Sequence, residues 1–281
     1  MTVSRFDPKT MICREDDSAC ADLRRTRDEF YAQTSEYTSF HKVTHKPEIW
    51  GSIVRRIEQM LADGRETCRV MEFGAGTTGF PAFVDASVRE RVHFTAQDVT
   101  PQNEEYLRGV SDDVVVGDVR DTSGPFDVIF STFVWEHVTD PRATLGALLE
   151  RLAPGGSIFL ACPRYDTFGY TPATAKHYSL ADRMRLAFWL RSARAGARRR
   201  GEASFLIHND PAMLHTKWFR DADAVHWVAR EDLRLALPEG YTLEDVEYGA
   251  KGGGVRGWIF RTFLLLFVEV RAPGGEGSAS A

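Results

Sequence analysis

Between residues 69 and 162 the chain alternates short apolar runs with stretches whose apolar positions recur every three to four residues. The runs at 69–73, 92–97, 114–116, 126–131 and 157–162 are too short for helices and read as strands, with 126–131 the most β-prone. Between them, 80–87 reads as a helix with Pro81 in its first turn, and 103–110 as a short helix. The stretch 141–152 carries Leu145, Leu148, Leu149 and Leu152 on one stripe and stops at Ala153-Pro154-Gly155-Gly156. Strand and helix in alternation predict an α/β fold, a doubly wound, mostly parallel sheet with helices on both faces.

The flanks have other rhythms. One helix is expected at 19–31. A second is expected at 47–61, where Ile49, Ile53, Ile57, Met60 and Leu61 recur at helical spacing behind Pro47. Tyr31, Tyr37, Phe40, His41, His45 and Trp50 cluster ahead of or within it, as a pocket mouth or, more simply, as part of a packed helical cap. After 163 the alternation breaks. A helix is predicted over 180–197, with Leu186, Trp189, Leu190, Ala193 and Ala197 as its apolar stripe. His226 then leads a helix through Leu233, and 242–248 and 263–270 read as late strands around a glycine-rich loop at 252–257. This divides the chain into an N-terminal helical cap (1–64), an α/β core (65–163), an inserted lid or substrate region (164–225), closing core elements (226–272) and a disordered tail (273–281).

Composition narrows the class. A chain of 281 residues, 43% hydrophobic and 27% charged, has ample material for a core, and a net charge of −5 gives nucleic acid no general attraction. Four scattered cysteines, Cys13, Cys20, Cys68 and Cys162, lack zinc-type spacing, so neither a metal site nor a disulfide framework is expected. No signal peptide or membrane-length apolar run is evident, and a cytoplasmic location is the default. One local exception stands out: seven arginines and no acid lie between Arg183 and Gly201. That segment suits a solvated helix face, a lid, an anionic-substrate site, or peripheral contact with anionic lipid through 183–200.

Ligands of doubly wound sheets bind beyond the carboxyl ends of the strands. Those ends carry Glu72 to Gly79, Asp98, Gly117-Asp118, the stretch from Phe133 to His137, and Cys162 to Tyr165. Gly74, Gly76 and Gly79 alone fit either a pyrophosphate cradle or another nucleotide loop, and Asp98 can hold a ribose in both cases. The remaining rim residues separate the two. Glu72-Phe73-Gly74-Ala75-Gly76-Thr77, Gln97-Asp98, Gly117-Asp118-Val119, the strand from Phe126 to Ser131 with Trp135-Glu136-His137-Val138, and Leu152-Ala153-Pro154-Gly155-Gly156 stand in that order. Together they resemble the class I S-adenosylmethionine-dependent methyltransferases of small-molecule type, a Rossmann-like fold.

The resemblance implies S-adenosyl-L-methionine as cofactor, held by Glu72, Gly74, Ala75, Gly76, Asp98, Asp118, Val119 and Phe133. The reaction it implies is methyl transfer to an oxygen or nitrogen of a small acceptor of sugar, quinone or natural-product type. His137 and His226 are the candidate bases, ahead of His177, His208 and His215. Thr78 departs from the family pattern, which often has glycine there; here the glycine comes at 79. Cys162-Pro163 lacks the second cysteine of pyrimidine-5-methylating enzymes, and strand four lacks the Asn-Pro-Pro-Tyr motif of nucleobase amine methylation. The competing functions are an NAD(P)-dependent oxidoreductase and a non-catalytic S-adenosylmethionine-binding module.

Overall fold

Alternate residues of a strand point to opposite faces of its sheet, and here both sets are apolar. Val70, Val128, Phe130, Phe159 and Ala161 enter one buried core; Met71, Ile129, Ile158, Leu160 and Cys162 enter another. A sheet with two dry faces needs a helical layer on each. The computed structural model, which describes residues 6–15, 18–33, 47–209, 224–247 and 255–274, has both.

The strands are β1 (Ile12–Arg14), β2 (Cys68–Phe73), β3 (Val92–Asp98), β4 (Asp113–Val116), β5 (Phe126–Thr132), β6 (Leu152–Pro163), β7 (Leu206–His208), β8 (Thr242–Asp245) and β9 (Leu265–Arg271). Seven of them form one sheet in the order β4-β3-β2-β5-β6-β9-β8. β2 to β6 pair in parallel, and β9 runs antiparallel between β6 and β8. The order reverses between β2 and β5, which opens a crevice at their carboxyl ends. On one face the helix Pro47–Ala62 lays Ile49, Ile53, Ile57 and Met60 against the sheet, so it serves as a covering layer. On the other lie Pro141–Glu150, Leu180–Arg199 and Arg230–Ala236, through Leu145, Leu148, Leu186, Leu190 and Leu233.

Several expectations shift. The helix at 80–87 is two short ones, Phe80–Phe83 and Ala86–Arg89, parted by an extended Val84. Phe80 is fixed among the rings of Trp50, Phe94 and Phe130, and Asp85, a residue type that favours helix starts, begins the second turn. β6 begins at Leu152, because Leu152 pairs with Phe126 before the register shifts to Val128 and Ser157. The proline-glycine stop is thus an irregularity inside a strand; a Cβ on Gly156 would lie 2.9 Å from the Asp127 carbonyl oxygen. His226 does not lead a helix. Its backbone N–H and that of Val225 both donate to the Glu136 carbonyl, at 2.9 Å each, and it forms an isolated bridge with Ile207. The helix starts only at Arg230. β9 starts two residues late because Phe260–Leu264 is a π-type turn.

The N-terminal region is tied into the insertion as well. β1 pairs antiparallel with β7 of the insertion, and Cys13 is disulfide-bonded to Cys20, contrary to the expectation of no disulfide. The scattered spacing hid this because β1 and the helix Ser18–Gln33 fold back on each other, bringing the two thiols together within a small core with Leu23, Ile207 and Val225. Such a bond persists in oxidising surroundings, so it bears on the expected cytoplasmic location. Tyr37, Phe40, His41, His45, His215, Tyr248 and the stretches 252–254 and 275–281 lie outside the described residues. Among the described residues no helix is long and apolar enough to cross a membrane.

The amino ends of the central strands are tied by Asp127. Its carboxylate accepts from the Arg69 backbone N–H at 2.7 Å and from the Arg65 guanidinium. Asp127→Ala strands a part-buried N–H and is expected to cost about 1 kcal/mol or more, read as a lower urea midpoint with an unchanged slope.

Candidate active site

β2 ends at Phe73, and the chain turns out of the sheet through Gly74 (φ 70°) and Gly76 (φ 55°). Gly74 is sterically required as well: a Cβ there would sit 2.6 Å from both methyls of Val134, on the turn after β5. The loop is therefore clamped onto the neighbouring strand end. Hydrogen bonds from the other side hold it too. The Gly74 N–H donates to Gln97 Oε1 (3.2 Å), the Ala75 N–H to the Gln97 carbonyl (2.8 Å) and the Gly76 N–H to Asp98 Oδ2 (2.6 Å). Gln97 Nε2 in turn donates to the Gly117 carbonyl at 2.6 Å. One amide side chain thus links the rims of β2, β3 and β4. Sequence reading passed over it as the neighbour of Asp98, although a buried glutamine at a parallel strand end is itself a signal.

Thr78, the departure from the family pattern, is built in. Its hydroxyl accepts from the Phe80 N–H at 3.1 Å, and its carbonyl accepts from the Tyr106 hydroxyl at 2.7 Å. Gly79 has an ordinary φ of −106° and heads a helix of four residues. That helix carries Pro81 and has the Phe80 N–H already bonded, which makes a poor seat for a pyrophosphate.

Glu72, Asp98 and Asp118 converge on this rim. Glu72 is buried on β2, paired in register with Ala96. Asp98, 6% exposed, also accepts from the Thr100 N–H at 3.0 Å; burial raises its carboxyl above the usual range against bonds from Thr100, Gly76 and Val99. Asp118 caps the turn Val119–Asp121, and both its oxygens are taken by the Arg120 guanidinium. Burial pushes its pKa up, but the Arg120 bonds outweigh that and hold the carboxyl below its ordinary value. Arg120 was not foreseen as its partner. Val119 is buried beneath this turn. Phe133, the first residue past β5, has φ 59°, a region costly for a bulky side chain. Its N–H is held by the Ala161 carbonyl at 2.7 Å. Strain of about 1–3 kcal/mol is kept where it aims a side chain at a rim.

The two candidate bases part company. His137 is half-buried at the end of the turn Trp135–His137, with Glu136 Oε1 3.9 Å from its Nε2. His226 is 1% exposed beneath that turn, its Nδ1–H donating to the Trp135 carbonyl at 3.1 Å. Burial, opposed by that bond and aided by Arg194, pushes its pKa down to about 3, so the ring stays neutral. His208 is also buried, between Tyr178 and Thr174. Cys162 is fully buried on β6, and burial with nearby Glu136 and Asp166 carries its thiol far above the ordinary value, which removes it as a nucleophile.

Past β6 the 165–171 loop faces the helix Leu180–Arg199, and a cavity of about 330 Å³ lies between them, walled by Tyr165, Tyr170, Arg191, Arg194 and Arg198. The predicted stripe of this helix, Leu186, Trp189, Leu190, Ala193 and Ala197, packs inward, whereas Leu180, Met184 and Phe188 are exposed.

Three carboxylates at a glycine loop with no strong helix start suit a cation better than a dinucleotide pyrophosphate. This donor set fits a sulfonium nucleoside, with carboxylates for amino and hydroxyl groups. The sequence profile of a family described as "Methyltransferase domain" matches residues 43–245. Nothing among curated proteins matches. Solved structures of similar shape include the plantazolicin methyltransferase BpumL in complex with SAH (10% identity, 90% of this chain and 90% of that one, TM-score 0.47). Others are a chain of the complex between the Haloferax volcanii Trm112 methyltransferase activator and the putative methyltransferase (15%, 92% and 98%, 0.46) and the N-methyltransferase NodS from Bradyrhizobium japonicum WM9 with SAH (14%, 92% and 100%, 0.42). Likenesses this distant say nothing of the acceptor. The family match, covering most of the chain, and the strand order β4-β3-β2-β5-β6-β9-β8 agree: the chain belongs to the methyltransferase-domain family and is an S-adenosylmethionine-dependent methyltransferase of class I fold.

Proposed function

We propose that this enzyme methylates an oxygen or nitrogen of a small-molecule acceptor. The observation that carries the reading is the cavity of about 330 Å³ beside the rim, two residues beyond the carboxyl end of β6. Its size falls at the low end of small-ligand sites and suits a single substituted ring. The loop and helix that wall it both belong to the insertion, which has no place in the sheet and is free to be shaped to an acceptor.

When bound, S-adenosylmethionine supplies an electrophilic methyl on a charged sulfur. The chain's own work is placement and exclusion of water. Asp98 would accept from the ribose hydroxyls, while its Oδ2, bonded to the Gly76 N–H, keeps the glycine loop closed. Glu72 and Asp118 would favour the cationic cofactor, Asp118 by sharing its carboxylate with Arg120. Gly74 to Gly76 would let the cofactor approach the backbone, and Val119 and Phe133 would hold its base. His137, at the accessible end of its turn, takes a proton where the acceptor is a hydroxyl. His226, buried and neutral, positions that turn through the Trp135 carbonyl.

Asp98→Ala is expected to weaken S-adenosylmethionine binding by about 1–3 kcal/mol, roughly tenfold to a hundredfold by calorimetry, with the fold intact. Unchanged affinity in a folded variant removes the ribose assignment. Because the folded pKa of Asp98 is raised, its ionised form costs stability, and that cost is relieved as pH falls through the raised value. Cofactor affinity moves the other way: it should start to fall above the usual carboxylate range as pH is lowered, and Asp98→Asn should flatten the profile.

For a hydroxyl acceptor, His137→Ala should lower kcat by about a hundredfold or more without changing cofactor affinity. His226→Asn should instead act on thermal stability. Equal kcat in wild type and His137→Ala would leave catalysis to positioning alone.

A further inference from the structure

The arginines of the helix Leu180–Arg199 are not all surface ornament. Arg191, Arg194 and Arg198 recur at helical spacing on the face that walls the cavity. Arg194 is the anchor. Its guanidinium is largely enclosed, with Nη1 donating to the Tyr165 carbonyl (3.0 Å) and Nη2 to the Trp227 carbonyl (2.8 Å), both part-buried. Among the described residues no carboxylate lies within ion-pair distance of it; Asp232 and Asp166 act on it only from further away. A guanidinium remains charged even where burial opposes the charge, and a buried charge held only by carbonyl dipoles is poorly compensated. Arg191 makes no ion pair or hydrogen bond among the described residues, and Arg198 has Glu231 at 3.5 Å. The one acid in the wall, Asp166, is already taken by Arg164 in a two-point pair at 2.7 and 2.8 Å. Opposite the arginines, Tyr165 and Tyr170 stack with ring centroids 5.4 Å apart.

We propose that this cavity binds an anionic group, a carboxylate or phosphate ester, carried on a flat ring. The ring lies along Tyr170, which Tyr165 backs from beneath, and Arg191 and Arg198 close on the anion while Arg194 sets the positive field. The proposal rests on the small-molecule reading above and narrows its acceptor to an acid or phosphorylated aromatic compound. Arginine is the residue suited to this, since its planar fork meets two oxygens of one anion.

The test is a ligand-observed NMR titration of the full chain without cofactor at moderate salt, using benzoate, phenyl phosphate and the neutral isostere benzamide. Benzoate or phenyl phosphate should bind about tenfold more tightly than benzamide, and Arg191→Gln/Arg198→Gln should erase that preference. Both positions lie on the helix surface, and an unchanged melting temperature together with unchanged S-adenosylhomocysteine affinity shows that the variant is folded. Benzamide binding as well as benzoate, or anion binding that survives the double variant, overturns the proposal. Binding confined to phosphatidylglycerol vesicles, with none of the soluble anions, also overturns it and assigns the arginines to a lipid surface. Failure of the wild-type chain to bind S-adenosylhomocysteine would count against the cofactor assignment alone, because the anion titration does not use the cofactor.

Discussion

The glycine loop after β2 is held in a vice, and the site is organised around it. Val134 leaves no room for a side chain at Gly74, while Asp98 and Gln97 pull the loop's backbone N–H groups toward β3. Neither jaw works without the parallel pairing of β2 with both β3 and β5, which brings the strand ends level. The sheet therefore fixes the rim to within a hydrogen bond. The cost appears in two places: a buried carboxylate at position 98 and a positive φ at Phe133. Both sit where a ligand would make the arrangement favourable, which is how strain at functional sites is usually maintained.

The parts legible in the sequence are those decided by burial. β2, β3, β5 and most of β6 are dry on both faces, so their apolar runs stand out against polar surroundings. What the sequence did not disclose was decided by contacts with distant residues. The extra length of β6 comes from Phe126 pairing with Leu152 across an irregular register. His226 follows a helix-like pattern, yet the Glu136 carbonyl takes two consecutive N–H groups there and keeps the backbone extended. The pairing of β1 with β7 joins residues about two hundred positions apart, and the Cys13–Cys20 bond follows from the fold-back of the next helix onto β1.

The same distinction applies to the site. Glycine, aspartate and the turn after β5 are visible because backbone geometry and charge restrict residue type at those places. Arg120 on Asp118 was not visible, since nothing in a local pattern says which of many arginines will reach a given acid. The arginine-rich helix was conspicuous, but its meaning was open until the stripe from Leu186 to Ala197 proved to face the core. With that face occupied, Arg191, Arg194 and Arg198 are turned toward the 165–171 loop.

Charge then gives the molecule a division of labour. The rim at β2, β3 and β4 is acidic, while the cavity beyond β6 is basic. On the proposed reading a cationic methyl donor and an anionic acceptor are each drawn to the opposite sign, so neither site competes for the other's ligand. On that reading an acidic rim would favour a sulfonium cofactor over its neutral thioether product.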